Sequence, residues 1–329
     1  MSGSRSGDEQ GALWSQPWRA CDRDVLGIGE ISLDHVCVLE EMPRTGAGIQ
    51  LLGYARRPGG QVATTVLACA RLGLRAGIVG GVGGDDAAEV VLAPLREAGV
   101  DLSGVARVAG AETRLAIILV HRASGERTVL GHRDPRLALD PARIERERER
   151  ILGARVLHLD ARDPKAAMAA AHIAREAGIP VVLDAERSWP GAEALVELAD
   201  FPIVSRRFAE EWGETGSVRD GLRALASRGA RLAVVTLGEL GAIGSSSGRD
   251  FESPAFPVEA RDTTGAGDAF HAGLIWSLLR GHHAERALRV ANAVAAMSCE
   301  APGAQGGLPT ADAVGDFLAT RRPQAWKEP

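Results

Sequence analysis

The chain has 329 residues, 45% of them hydrophobic and 25% charged, with a formal net charge of −5. That length calls for one large α/β domain with an appendage, or for two domains. The mild acidity gives no basic field to attract nucleic acid or a membrane surface, and no apolar run approaches the ~20 residues of a membrane span. Residues 1–22 are polar, carry scattered tryptophans (Trp14, Trp18) and lack the apolar core of a signal peptide, so they read as a flexible leader whose indoles can dock on the surface. Cys21, Cys37, Cys69 and Cys299 are far apart and form no C-x-x-C, which suits reduced, buried thiols in a cytoplasmic protein.

Asp24-Val-Leu-Gly-Ile-Gly29 predicts a short buried strand that residues 30–40 continue. Its Gly27 and Gly29 lack the third glycine of a dinucleotide fingerprint, where Ser32 stands, and no acidic residue follows at the required distance. Residues 43–58 are rich in Gly and Arg, with short apolar pieces that do not look like core. Pro58-Gly59-Gly60 then leads into an apolar helix ending at Gly73, and paired glycines there let backbone approach a ligand. Residues 76–84 read as a strand entering a glycine-rich turn, and 87–98 as a helix stopped by Gly99. Two strands, 111–121 and 127–131, flank a hairpin turn at 123–126. The mixed-charge run in 141–152 reads as a solvated helix.

From residue 154 onward strands at 155–159, 180–184, 201–205 and 231–236 alternate with helical segments, which argues a doubly wound, mostly parallel α/β sheet with right-handed crossovers. Asp160 and Arg162, and Asp184 and Glu186, fall at the C-terminal ends of two neighbouring strands, where such sheets hold ligands. Carboxylates there suit Mg²⁺ held through water, and Arg162 suits a hydroxyl or an acidic substituent.

The run Asp262-Thr-Thr-Gly-Ala-Gly-Asp268 then opens an apolar helix. Gly265, Ala266 and Gly267 have almost no side chain, and a helix start offers free N–H groups and partial positive charge, so together they make a cradle for an anion such as phosphate. Asp268 repels a phosphate unless a hydroxyl beside it must lose its proton. It then reads as a general base, with the glycine amides holding the transferring group. An ordinary Asp cap on a glycine-rich turn is the plainer alternative. A helix over 285–299 and a glycine-rich loop over 301–307 follow; His282-His283 reads as a solvated turn.

D-T-T-G-A-G-D-A-F entering a late helix resembles the C-terminal signature of the ribokinase-like (PfkB) sugar kinases, and the resemblance extends over residues 24–320. It implies a ribokinase-like sheet flanked by helices, with a small discontinuous β lid from about 43–58 and 111–132, in a kinase domain of 23–320 followed by a tail of 321–329. It implies that Asp34, Gly59, Gly60 and Thr64 (where the family often has Asn) contact a sugar together with Arg162 and Asp268. Asp34 read alone is a turn carboxylate. Thr236, Gly238, Gly241, Gly265, Gly267 and Asn292 match positions that bind ATP. Asp184-Ala-Glu186-Arg187 resembles the family's D-x-N-x-R, with Glu186 in the Asn place, and Asp262, Thr264 and the 301–307 loop resemble its monovalent-cation (K⁺) site. Ser205 and Phe208 replace the usual Asn-x-x-Glu, with Glu210 and Glu211 further on; that loss is similar to ketohexokinases and the kinases of sulfonated ketoses. The expectation is an ATP-dependent kinase of a small sugar, a ketose first, dimerising through the lid. A ribose, nucleoside, ketodeoxygluconate or phosphofructose kinase is the second expectation, Arg57, Arg114, Arg133 and Arg162 being able to meet an existing phosphate; a non-catalytic sugar- or nucleotide-binding regulator is the third. His132 with Arg114 and Arg133 either faces the substrate or lies on the lid surface.

Overall fold

The computed structural model describes residues 12–14, 18, 20–123 and 127–329. The chain begins with β1 (Arg23–Ile28), then β2 (Ser32–Leu39), β3 (Gly53–Gly59), α1 (Gln61–Arg71), β4 (Ala76–Gly83), α2 (Asp86–Glu97) and β5 (Asp101–Val108). The next strands are β6 (Leu115–His121) and β7 (Arg127–His132), followed by the short helices α3 (Pro141–Arg146) and α4 (Arg148–Leu152). An alternating stretch carries β8 (Ala154–Asp160), α5 (Pro164–Glu176), β9 (Val181–Ala185), α6 (Ala192–Leu198), β10 (Phe201–Ser205), α7 (Arg206–Trp212) and α8 (Val218–Ala226). Then come β11 (Ala233–Thr236), β12 (Gly241–Ser246), β13 (Arg249–Pro254), α9 (Ala266–Leu279), α10 (Ala284–Ser298) and α11 (Ala311–Thr320).

Among the described residues, nine strands form one sheet in the order β13-β12-β11-β10-β9-β8-β1-β4-β5. From β11 to β5 all neighbours pair in parallel, and β12 and β13 add an antiparallel edge. The central strands β8 and β9 are buried on both faces, as their Val- and Leu-rich runs (interrupted in β8 by the buried His158) require under helices on either side. One apolar core joins the sheet to α1, α2, α9 and α10; the other joins it to α3 through α8. Helix α9 is apolar all round because α1 and α10 cover its flanks; a side chain on Gly273 would put its Cβ 2.8 Å from Ala291 Cα.

A second sheet has the order β3-β2-β6-β7. It corrects the reading of residues 30–40 as a continuation of the first strand. The chain leaves the main sheet after Ile28, and Ser32–Leu39 becomes the middle of the lid, paired antiparallel to β3 and parallel to β6. The lid is therefore built from three separated stretches. Gly29 and Gly60 stand at its junctions with the core, and a Cβ on Gly60 would lie 2.5 Å from Glu30 O.

The helix expected over 141–152 is broken in two, with Glu147 between α3 and α4. All four cysteines are free. Most of the leader lies outside the described residues, as do residues 124–126 of the hairpin turn. Its described part is docked: Trp14 is buried, stacks on Trp18 with ring centroids 5.8 Å apart and lies under the Arg231 guanidinium. The 321–329 tail also packs, with Gln324 N donating to Ala255 O at 2.9 Å. His283 caps α10, accepting from Arg286 N. Among the described residues no helix is long and apolar enough to cross a membrane.

Candidate active site

The 262–265 loop is tied to the 301–307 loop through one carboxylate. Asp262 Oδ1 accepts from Thr264 N at 2.9 Å and Oδ2 from Gly303 N at 2.8 Å, while Arg261 N and Asp262 N both donate to Cys299 O. Gly265 then adopts φ 79°, a left-handed turn that starts α9, and a Cβ there would come 2.6 Å from Ala304 O. Gly267 differs, since beyond its own helical turn nothing in the described chain lies within 4 Å of a Cβ built on it. Steric need inside the protein explains Gly265; no such need applies at Gly267. No side chain caps α9; Ala266 N donates to Thr263 O at 3.3 Å, which leaves the Gly267 and Asp268 amides to water or a ligand.

Asp268 sits half-buried in that first turn, with Thr65 Oγ1 donating to its backbone carbonyl at 3.2 Å. Burial, then the charges of Asp184, Glu186, Asp34 and Glu30, push its carboxyl well above the ordinary carboxylate range. A carboxyl held that way is a better proton acceptor than a free aspartate.

The ends of β1, β8 and β9 supply the facing groups. Asp160 accepts from Glu30 N at 2.7 Å and Arg162 N at 3.0 Å, so it braces the backbone more than it faces a ligand. Burial, then the Glu30 carboxylate, push the Asp160 carboxyl up to about 7. An unfolded aspartate titrates near ~3.9. Between about pH 4 and 7 the folded chain thus holds a proton that the unfolded chain does not, so this group adds stability at low pH that is lost as pH rises through its folded pKa. Asp160→Asn should remove the effect: the melting-temperature difference, wild type minus variant, should shrink from pH 4.5 to pH 7.5. A constant difference across that range contradicts it.

Arg114 Nε and Arg162 Nε both point to Glu30 Oε1, at 2.5 and 3.5 Å, and Arg162 Nη2 lies 3.8 Å from Glu186. Arg133 is paired with Asp163 and lies within electrostatic reach of Glu30 and Asp160, while His132 is exposed beside Glu112. Asp184 is buried. Burial opposes its charge, but His271, through charge and a hydrogen bond, with His158 and Arg162 behind it, outweighs burial and holds the carboxyl below the usual range. Glu186 is exposed; burial of its surroundings and the Asp184 charge raise its carboxyl. Among the described residues no three His, Cys, Asp or Glu side chains converge enough to hold a metal ion by themselves. Two carboxylates at one strand end fit an ion that keeps its waters and leans on phosphate.

The lid closes over this region. Asp34 on β2 accepts from Ser32 Oγ at 2.9 Å, and its carboxylate lies where a side chain on Gly59 would have to be. Burial, then Glu30 and Asp262, raise its carboxyl against that hydrogen bond and Arg114. From the lid's other edge Arg127 Nη1 donates to Thr263 Oγ1 at 2.7 Å, reaching the 262–265 loop directly. Sequence reasoning gave Arg127 only as part of a strand and did not single out Gln61, Glu30 or His271. The signals were thin: a Gly-x-Arg after a turn, and polar residues inside apolar runs.

Other expected positions each have a partner or a turn role inside the protein. Thr64 is buried in α1 and accepts from Gln305 Nε2 at 3.4 Å, a contact with the 301–307 loop. Asn292 Nδ2 donates to Ser253 O at 2.7 Å and Ser253 Oγ at 2.9 Å, fastening α10 to β13. Ser205 caps α7, accepting from Phe208 N and donating to Glu186 O at 2.7 Å, while Phe208 is core. Glu211 is paired with Arg207 and Ser188 N; Glu210 is exposed. Thr236 ends β11 with its hydroxyl donating to Val204 O, and Gly238 and Gly241 take φ 60° and 104° in the turn that follows.

Comparison with known proteins decides the class. The profile of the pfkB family carbohydrate kinases matches residues 22–311. The chain belongs to the pfkB family. It is a carbohydrate kinase, a phosphotransferase with an alcohol group as acceptor, and its two sheets are those of the ribokinase-like fold. An ATP-dependent ribose-1-phosphate kinase of Halopiger xanaduensis is 34% identical over 304 residues, covering 90% of this chain and 98% of that protein. Fructokinase-1 of Oryza sativa subsp. japonica is 33% identical over 315 residues, covering 87% and 94%. A solved E. coli structure described as a ribokinase II in complex with ATP and Mg²⁺ superposes with a TM-score of 0.77 at 22% identity, covering 90% of this chain and 99% of that one.

Proposed function

We propose that this pfkB kinase transfers the γ-phosphoryl group of ATP to a primary hydroxyl of a small sugar, a ketose first. The observation that carries it is Asp268, a carboxyl with raised proton affinity in the same helical turn as Gly265 and Gly267. Asp268 accepts the hydroxyl proton. The Gly265, Ala266 and Gly267 backbone and the helix start stabilise the phosphoryl charge. Asp34, Gly59, Gly60 and Arg162 hold the sugar beneath the lid, and the lid excludes water. The 236–241 turn and the first turn of α9 receive the nucleotide; that a nucleotide is bound at all agrees with the E. coli structure of this fold, which carries ATP and Mg²⁺. Asp184 and Glu186 would hold Mg²⁺ through water, and the ion would supply neutralisation of the charge on the nucleotide phosphates. A monovalent cation between the 262–264 and 301–307 loops belongs to the same reading.

Two things favour a ketose: the rice relative is a fructokinase, and Arg114 and Arg162 converge on Glu30, which lowers their pull on an acidic substituent. A phosphorylated pentose is the second reading, favoured by the Halopiger relative. Initial rates of ATP consumption with fructose, other ketoses, ribose, ribose 1-phosphate, nucleosides, ketodeoxygluconate and fructose phosphates decide between them. The highest kcat/KM is expected on an unphosphorylated ketose, and a maximum on ribose 1-phosphate sinks that preference.

We also propose a homodimer formed through the lid. Leu130 and Ile117 pair across β6 and β7, share one face and are exposed, as is Tyr54 on β3. Sedimentation should give a dimer for the wild type and a monomer for Leu130→Lys; a monomeric wild type refutes it.

A further inference from the structure

Helix α9 carries a second polar side chain on the face of Asp268. His271 follows three residues later and is 3% exposed. Its Nε2 lies 3.4 Å from Asp184 Oδ1. The other Asp184 oxygen accepts from Gln61 Nε2 at 3.3 Å, and Gln61 Oε1 accepts from Arg162 Nε at 3.2 Å. Arg162 and Arg114 then meet on Glu30. One chain of polar contacts thus runs from the interior of α9, across the end of β9, to the lid.

The two holders of Asp184 differ in rigidity. Gln61 depends on Arg162, a long side chain that is partly exposed. His271 is fixed by the helix backbone and by packing against the buried ring of His158, with centroids 5.3 Å apart. The Nδ1 of His271 is buried without a hydrogen-bond partner. Burying a polar ring with one nitrogen unsatisfied costs stability, and an apolar residue of that size would avoid it. The imidazole is explained if its other nitrogen is needed where it points.

We infer that His271 is a positioning residue of the phosphoryl transfer: its Nε2–H donates to Asp184 and fixes the direction in which that carboxylate faces the metal–nucleotide. The inference rests on the proposed role of Asp184 toward Mg²⁺. His271 does not touch the substrate, and its effect passes through Asp184. Its place on α9 also ties the carboxylate's position to that of Asp268, one turn earlier. A carboxylate free to rotate would present the hydrated ion at varying distances from the anion loop, and sub-ångström placement matters for transfer.

The test uses the full chain with Mn²⁺ and ADP as probes, free Mn²⁺ being read by electron paramagnetic resonance, beside steady-state kinetics. His271→Phe keeps the ring size and removes the donor; His271→Gln keeps an N–H at similar reach; Asp184→Asn is the reference. His271→Phe should weaken Mn²⁺ binding in the presence of ADP and lower kcat, each by about 10–100-fold, as loss of a ligand-orienting partner does elsewhere. The sugar KM should stay near wild type, and His271→Gln should recover most of the loss. If His271→Phe binds Mn²⁺ and turns over like wild type while Asp184→Asn does not, the positioning role is overturned and the metal role of Asp184 stands. If Asp184→Asn also binds Mn²⁺ like wild type, both fall. Should His271→Phe fail to fold, the imidazole ¹H–¹⁵N spectrum of the wild type carries the test. A hydrogen-bonded Nε2–H signal that shifts in Asp184→Asn supports the contact, and one that stays in place overturns it.

Discussion

Asp268→Asn is expected to lower kcat by about 10²–10⁴, the usual effect of removing a general base, while the protein folds as stably as before or more so. Both halves follow from the same crowding. Asp184, Glu186, Asp34 and Glu30 all act on Asp268, so its charge is unfavourable in the resting protein. An amide of equal size relieves that repulsion but cannot accept the hydroxyl proton. The raised carboxyl also sets a pH dependence. The ionised form is the base, so kcat/KM should fall on the acid side with a midpoint above the ordinary carboxylate range, because that ratio reports the free enzyme. A kcat within a few-fold of wild type in the variant would remove Asp268 from the mechanism. Melting curves taken beside the rates separate lost chemistry from lost structure.

Gly267→Ala should move stability and activity in opposite directions. A glycine within a helix is less stable than alanine by about 0.5–1 kcal/mol, and beyond its own helical turn no described atom lies within 4 Å of the new methyl group. The melting temperature should therefore hold or rise. The methyl group enters the space assigned to the phosphoryl group, so kcat/KM for ATP should fall at least ~10-fold, equivalent to ~1.4 kcal/mol of transition-state contact. Gly265→Ala is the contrast. Its left-handed backbone and its contact with Ala304 predict loss of both stability and rate. If Gly267→Ala is as active as wild type, the cradle does not hold the transferring group. If it unfolds, the open space at this position has been misread.

The alternation of strand and helix from residue 154 onward was legible because a strand buried on both faces gives an unbroken apolar run and its crossover helix a 3.6-residue pattern. The 262–268 run was legible for a different reason: glycines at a helix start, followed by an acid, are chemistry written locally. The lid was harder. Residues 32–39 carry a strand pattern that says nothing about which sheet they join, and the chain's departure at Gly29 and Glu30 depends on contacts with Asp160 and Gly60 far along the sequence. The polar network behind the site was not legible. Glu30, Gln61, Arg114, Arg162, Asp184 and His271 come from six separate stretches, and their pairing is a product of topology. Asn292 and Ser205 show the converse. Each has a side chain able to face a ligand, and each satisfies a neighbouring backbone instead.

In the proposed mechanism Asp268 and the start of α9 direct a phosphoryl group onto the primary hydroxyl of a sugar. Proton-coupled ³¹P spectra of the reaction mixture, with the best sugar, ATP and Mg²⁺, test it most directly. A new phosphomonoester signal split into a triplet by a CH₂ group is expected, formed by wild type and absent with Asp268→Asn. A doublet from a CH–O–P linkage, or release of inorganic phosphate with no ester, would contradict it.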